Sequence, residues 1–136
     1  MNELIVTKKI PVRCTVIDTD MKQIRSHTYE IKYGLKTEAQ EGEDYNTAYI
    51  HQNMSFQIAN AFLWDQLHQS IIYDFEGKEL AEKNFCEFDN NFMFLPNISE
   101  ATLVSALHCK LNAIIHENSI VDVISIKDTV DDLDYN

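Results

Sequence analysis

Residues Phe88–Thr129 read FDNNFMFLPNISEATLVSALHCKLNAIIHENSIVDVISIKDT and contain the best-defined helix of the chain. Pro96 cannot continue a preceding helix, and Asn97 is a favourable N-cap. Glu100 follows three residues later, where its carboxylate can reach the cap amide and lies near the positive end of the helix dipole. Apolar residues then recur every three or four positions. This spacing predicts an amphipathic helix over residues 99–116.

The segment after this helix has the composition of a β-strand. Asn118 tolerates the left-handed conformation that often ends a helix. Residues 120–126 read IVDVISI, a β-branched run that predicts a strand. The tail 130–136 either ends this strand or returns as one more strand.

Two segments near the N-terminus alternate between apolar and polar residues and predict a β-hairpin. Residues 4–17 form the first segment, residues 27–36 form the second, and the polar run 18–23 supplies the turn. Such a pair is expected to be antiparallel, with one packed face and one wet face. The predicted packed face of the second strand carries His27, Tyr29, Ile31, Tyr33 and Leu35.

The middle of the chain changes from period two to a helical period. Residues 37–46 form an acidic segment, predicted to be a loop, and residues 53–73 carry an apolar stripe that predicts a helix packed on the hairpin. Gly77 is a predicted break, and residues 78–85 add a short helical segment. The sequence therefore predicts an α+β fold, with an antiparallel sheet and two main helices on one face, in a single domain of residues 1–136.

Composition excludes several classes of protein. The formal net charge is −11, which argues against binding to nucleic-acid phosphates or to anionic membranes. No apolar run approaches the roughly 20 residues of a membrane span, and the N-terminus lacks the features of a signal peptide, so we expect a cytoplasmic protein. Cys14, Cys86 and Cys109 form no metal-binding motif. We interpret them as buried thiols, with a nucleophilic role for one of them left open.

Four short motifs resemble the 6-pyruvoyl-tetrahydropterin synthase and 6-carboxytetrahydropterin synthase family, whose members have the tunnelling fold. Residues 25–29 read Arg-Ser-His-Thr-Tyr where that family has His-Gly-His-Asn-Tyr. Residues 88–90 read Phe-Asp-Asn at the family's Leu-Asp-His, and residues 97–100 read Asn-Ile-Ser-Glu near its Asn-Pro-Thr-x-Glu. Residues 128–129 read Asp-Thr at its Glu-Thr. The resemblance implies a ββααββ order of elements and a homo-oligomer whose sheets join edge to edge.

The same resemblance shows that the family's metal chemistry is missing here. Zinc in that family is held by three histidines, of which this chain keeps only His27, because Arg25 replaces the second and the first strand has none. Asn90 replaces the family's catalytic histidine. We therefore expect no metal, no cofactor and no zinc-dependent activity. The ligand-binding residues that the resemblance implies are Asp128, Thr129, Glu100, His27 and Asp89.

These residues also have structural interpretations. His27 can be a core histidine, Asp89 a turn residue, and Glu100 a helix-dipole residue. The first functional hypothesis is a divergent member of the fold that binds a pterin- or purine-like ring through Asp128. The alternatives are a metal-independent enzyme of the pterin pathway, similar to the aldolases of the same fold, or a non-enzymatic, acidic protein-interaction module.

Overall fold

The computed structural model describes residues 3–19, 23–39, 42, 44–85, 91–115 and 118–130. Five strands form one sheet in the order β4-β3-β1-β2-β5. The elements, in chain order, are β1 Glu3–Asp18, β2 Gln23–Glu38, α1 Tyr45–Phe62, a π-helical turn Leu63–Leu67, β3 Ile71–Tyr73, α2 Lys78–Phe85, β4 Phe92–Phe94, α3 Glu100–Ile114 and β5 Ser119–Val130.

The predicted hairpin is confirmed and is longer than the sequence pattern indicated. β1 and β2 pair antiparallel along their whole length, from Glu3 opposite Glu38 to Asp18 opposite Gln23. The alternation along β2 correctly predicts the packed face, where Tyr29 and three apolar neighbours are almost completely buried. This inner face of the sheet forms the floor of the main core.

The sheet is mixed, so the prediction of a wholly antiparallel sheet is wrong. β3 runs parallel to β1, and β4 runs parallel to β3. The α+β class is confirmed, but two short strands separate the helices, and the described residues do not follow the ββααββ order. Ile71 and Ile72 belong to β3, although their spacing predicted the end of a helix. The helical path stops before them because His68 is extended and Gln69 has a φ of 63°.

Helix α1 begins at Tyr45, eight residues before the predicted start, within the segment expected to be a loop. Its N-cap is Asp44, whose carboxylate accepts hydrogen bonds from the N–H (2.9 Å) and hydroxyl (2.8 Å) of Thr47. Predicted stripe residues Met54 and Ile58 remain 48% and 37% exposed, so the buried stripe is narrower than predicted. It consists of Phe56, Ala59, Leu63 and Leu67.

The two main helices pack on the same face of the sheet, as predicted. Buried residues of α1 and α3 share one core cluster with the inner face of β1 and β2. The short helix α2 belongs to a second, smaller cluster, in which Ala81 packs with Ile17 and Ile71. Ile17 follows the inner-facing Val16 on β1, so α2 covers one end of the opposite face.

The N-cap of α3 is Ser99, not Asn97 as predicted. The Ser99 hydroxyl accepts a hydrogen bond from the N–H of Thr102 at 3.1 Å. The amide oxygen of Asn97 accepts hydrogen bonds from the Ser99 hydroxyl at 2.9 Å and from the Thr102 hydroxyl at 2.7 Å. Asn97 therefore supports the cap from outside the helix. Glu100 is the first helical residue, so its carboxylate lies near the positive end of the helix dipole, as predicted. Within the described residues, no helix has the length and apolar character to cross a membrane.

Candidate functional site

His27 and Asp128 form the closest pair of ionisable side chains on the inner sheet face. β5 runs antiparallel to β2 and places Asp128 opposite Tyr29, two residues from His27 and therefore on the same face. His27 Nδ1 lies 2.8 Å from Asp128 Oδ1 and 3.0 Å from Oδ2. The two side chains are 14% and 24% exposed, so the pair is largely protected from water and open on one side.

This contact determines which nitrogen of the imidazole carries a proton. A carboxylate only accepts hydrogen bonds, so Nδ1 must donate its N–H to Asp128. In the neutral ring, Nε2 is then the atom with a free lone pair. Asp128 therefore orients His27 and selects its tautomer, as the partners of reactive or metal-binding histidines commonly do.

Tyr29 forms one side of this pair and remains a neutral phenol. Its ring stacks on His27 with 5.6 Å between centroids and 17° between planes. Burial raises the pKa of Tyr29 well above its ordinary value, and the nearby Asp128, Cys14 and Glu100 raise this pKa further. The phenol consequently keeps its proton at neutral pH and is available as a hydrogen-bond donor.

Cys14 lies opposite His27 on β1, in an environment that disfavours its thiolate form. The pKa of Cys14 is raised to about 11, mainly by burial and slightly by the charge of Asp128, while hydrogen bonds with Ser70 partly oppose the shift. Its Sγ donates to the carbonyl of Leu67 at 3.3 Å. A thiol protonated at neutral pH is a poor nucleophile, so this environment argues against a nucleophilic role for Cys14. The prediction of buried thiols is confirmed for Cys14 and wrong for the exposed Cys109, while Cys86 lies outside the described residues.

A cleft of about 190 Å³ opens beside the pair, between the sheet and the N-terminus of α3. Three carboxylates line it: Asp18 from the end of β1, Glu100 from the start of α3, and Asp128 from β5. Such a site combines acceptors for N–H groups with an apolar surface for a ring. The apolar part of the lining consists of Ile72, Leu95, Ile98 and Leu103.

The structure brings together three of the five ligand-binding residues inferred from the sequence. His27, Glu100 and Asp128 line this one cleft, although they are far apart in the chain. Thr129 pairs with Thr28 in β5, and its side chain lies outside the described part of the structure. Asp89 also lies outside the described residues.

Sequence reasoning missed three polar groups of the cleft: Asp18, Tyr29 and Ser99. Ser99 was noted only as part of the motif of residues 97–100. Tyr29 shares the alternating face of His27 and was interpreted as a core residue, so its position on that face was the available signal. Asp18 was interpreted as part of a turn, and nothing local to it indicates that its strand ends beside α3. The contact between His27 and Asp128 was also missed, since the two residues are 101 positions apart.

The donor set does not fit the zinc site of the family that the sequence resembles. A catalytic zinc ion needs three protein ligands, and His27 is the only imidazole that lines this cleft among the described residues. Its Nδ1 is already bonded to Asp128. In the described ranges, no group of three His, Cys, Asp or Glu side chains is arranged to hold a metal ion.

Comparison with known proteins gives support for the fold alone. No family model matches the chain, and no curated protein matches it. The crystal structure of an uncharacterized protein from Wolinella succinogenes is similar, with a TM-score of 0.56 and 11% sequence identity. The match covers 97% of this chain and 100% of the other. At this identity the similarity shows that the two chains share a fold.

Proposed function

We propose that this protein binds a small, planar, N–H-rich heterocycle of the pterin or purine type in the cleft beside His27 and Asp128. The observation that carries the proposal is the set of three carboxylates around one small, partly apolar cleft. A carboxylate can accept two N–H bonds from the edge of an amino-pyrimidine ring, which provides both affinity and orientation. We propose in addition that this chain is a distant relative of proteins with the tunnelling fold.

The size of the cleft limits the ligand. Its volume of about 190 Å³ is below the roughly 300–1,000 Å³ of sites that enclose drug-sized molecules. One ring system fits such a space, and an attached chain extends into solvent. Three acidic side chains also disfavour phosphorylated ligands, because a phosphate beside them is repelled. Unphosphorylated neopterin, biopterin and guanine are therefore the ligands to test.

Two carboxylates have different parts in the proposed binding. Each oxygen of Asp128 already accepts from His27, and each has a further lone pair for a ligand. Glu100 is exposed at the first position of α3 and can turn toward the ring edge. We therefore assign the main anchoring role to Asp128 and a supporting role to Glu100.

Calorimetric titration tests this assignment. Asp128→Asn is expected to weaken binding by about 1–3 kcal/mol, or roughly fivefold to more than a hundredfold, because paired N–H donors lose an acceptor. Glu100→Gln is expected to have a smaller effect. Glu79→Gln is the matched control, since Glu79 also occupies the first turn of a helix but does not line the cleft. Absence of heat with all three ligands, or equal affinities in all variants, would refute the proposal and favour the interaction-module alternative.

A further inference from the structure

The hydrogen bonds of His27 leave one ring nitrogen for a ligand. Its bonds to the described part of the chain are both made by Nδ1, to the two oxygens of Asp128. The ring lines the cleft and is 14% exposed on its side chain. Nε2 is therefore the imidazole atom that remains to accept a proton from a bound molecule.

We propose that His27 is a general base, that Asp128 is its positioning residue, and that the cleft catalyses proton transfer within a small ring compound that carries a ketone. The inference rests on the proposed function, since it uses the same cleft and ligand class. It goes further by assigning an activity to a site for which binding alone was proposed. It also gives His27 a role that needs no metal.

The proposed step requires no co-reactant. Nε2 takes the proton from the carbon next to the ketone, and the electron pair of that C–H bond moves into the carbonyl to form an enolate. Asp128 stabilises the imidazolium that results, because its carboxylate already holds Nδ1–H at 2.8 Å. The same proton, or one from solvent, then returns to the carbon or to the oxygen. His27 is thereby returned to its neutral form, and the substrate is neither oxidised nor reduced.

The other groups of the cleft favour proton transfer over covalent catalysis. Among its described lining residues there is no thiol and no amine. The Ser99 hydroxyl lines the cleft, but it is bonded to Asn97 and Thr102 in the helix cap. Tyr29 also lines the cleft as a neutral phenol, which is the type of donor that stabilises an enolate oxygen.

The first experiment observes the imidazole and needs no ligand. Two-bond ¹H–¹⁵N NMR at about pH 8 reports which nitrogen of His27 carries the proton. The proposal expects the Nδ1–H tautomer in the wild type and a mixture of tautomers in Asp128→Asn. A predominant Nε2–H tautomer in the wild type would overturn the proposal.

The second experiment observes the proton transfer. Sepiapterin carries a C–H next to a side-chain ketone, so base catalysis in D₂O incorporates deuterium at that carbon, which mass spectrometry detects. His27→Asn should lower the exchange rate by about a hundredfold or more, because Asn can still donate to Asp128 but offers no base at the position of Nε2. His108→Asn, an exposed residue of α3 outside this cleft, is the control and should exchange at the wild-type rate.

Calorimetry with sepiapterin separates the two proposals. Binding with exchange that depends on His27 supports both. Binding with no exchange above that of free sepiapterin overturns the general base and leaves the binding function intact. Absence of binding together with absence of exchange overturns both the ligand class and the catalytic step.

Discussion

The side-chain amide of Asn112 on α3 forms two hydrogen bonds with the backbone of Val121 on β5. Its Nδ2 donates to the Val121 carbonyl at 2.9 Å, and its Oδ1 accepts from the Val121 N–H at 2.8 Å. β5 is an outer strand of the sheet, so this amide takes the place of a neighbouring strand. Val121 itself is completely buried, and its backbone groups have little access to water as an alternative.

Asn112→Ala should destabilise the protein by about 1–3 kcal/mol, because it leaves a backbone donor and an acceptor without their partner. Urea unfolding followed by circular dichroism measures the change. Asn84→Ala is the matched control: Asn84 is exposed on α2, and its side chain bonds to the Leu80 carbonyl of the same helix. The loss of this bond should cost under 1 kcal/mol. Equal losses in the two variants would contradict the proposed capping of the β5 edge.

A second prediction concerns assembly through strand edges. Among the described strands, β4 and β5 lie at the two edges of the sheet, and Phe92 and Phe94 of β4 are 43% and 48% exposed. A strand edge such as that of β4, together with its exposed aromatic rings, favours association, so we expect a homo-oligomer. Multi-angle light scattering at micromolar concentration measures the mass. A mass of 15.8 kDa, that of one chain, would reject the prediction.

The sequence predicted the parts of the fold that depend on regular periodicity. Alternation along β2 identified the buried face correctly, and three- and four-residue spacing located α3 to within two residues at each end. The parallel strands β3 and β4 were missed because each has three residues, too few for a period to appear. Their position depends on Gln69, whose left-handed backbone redirects the chain and whose N–H bonds to the carbonyl of Arg13.

Ser99→Ala should destabilise the protein by about 1 kcal/mol, because the N–H of Thr102 loses its cap. Ser99→Asp should retain most of the stability, since Asp is an equally good N-cap. Asn97→Ala should cost less than Ser99→Ala, because the Asn97 side chain accepts from the hydroxyl groups of Ser99 and Thr102 and caps no backbone N–H among the described residues. Urea unfolding compares the three variants. A larger loss of stability for Asn97→Ala than for Ser99→Ala would indicate that Asn97 is the N-cap, as the sequence pattern predicted.

A fourth prediction concerns metal. We expect protein purified without added metal to contain no stoichiometric zinc, because the cleft offers one imidazole whose Nδ1 is bonded to Asp128. Mass spectrometry of the metal content tests this, with His27→Ala as the control. One zinc per chain in the wild type and none in His27→Ala would show that the family's metal site persists here.

The candidate site was less predictable than the fold, for a physical reason. Family resemblance pointed to His27, Glu100 and Asp128, but it gave Asp128 a role in ligand binding and no contact with His27. The hydrogen bond between His27 and Asp128 depends on the register between β2 and β5, which includes an irregularity between Lys32 and Tyr33. A shift of one residue would place Asp128 on the opposite face. No local pattern in either strand determines this register.

The last prediction uses the buried thiol of Cys14. Burial raises its pKa from 9.0 to about 11, so between these values the unfolded chain loses this proton while the folded chain keeps it. The folded state then binds more protons, and stability falls as pH rises from about 9 to about 11, by up to roughly 3 kcal/mol from this group. Burial also raises the pKa of Tyr29 and raises that of Tyr33 to about 12, so both phenols add a decrease that begins near pH 10.

Cys14→Ala removes the thiol contribution and leaves most of the decrease that Tyr29 and Tyr33 cause. We therefore expect urea unfolding to show a smaller loss of stability between pH 8 and pH 10.5 in this variant than in the wild type. The variant itself is expected to be less stable at pH 8, because it loses buried volume and the bond to Leu67. Only the difference between the two pH values is diagnostic. Equal pH dependence in wild type and Cys14→Ala would show that the thiol titrates normally in the folded protein, and that Cys14 must be reconsidered as a nucleophile next to His27.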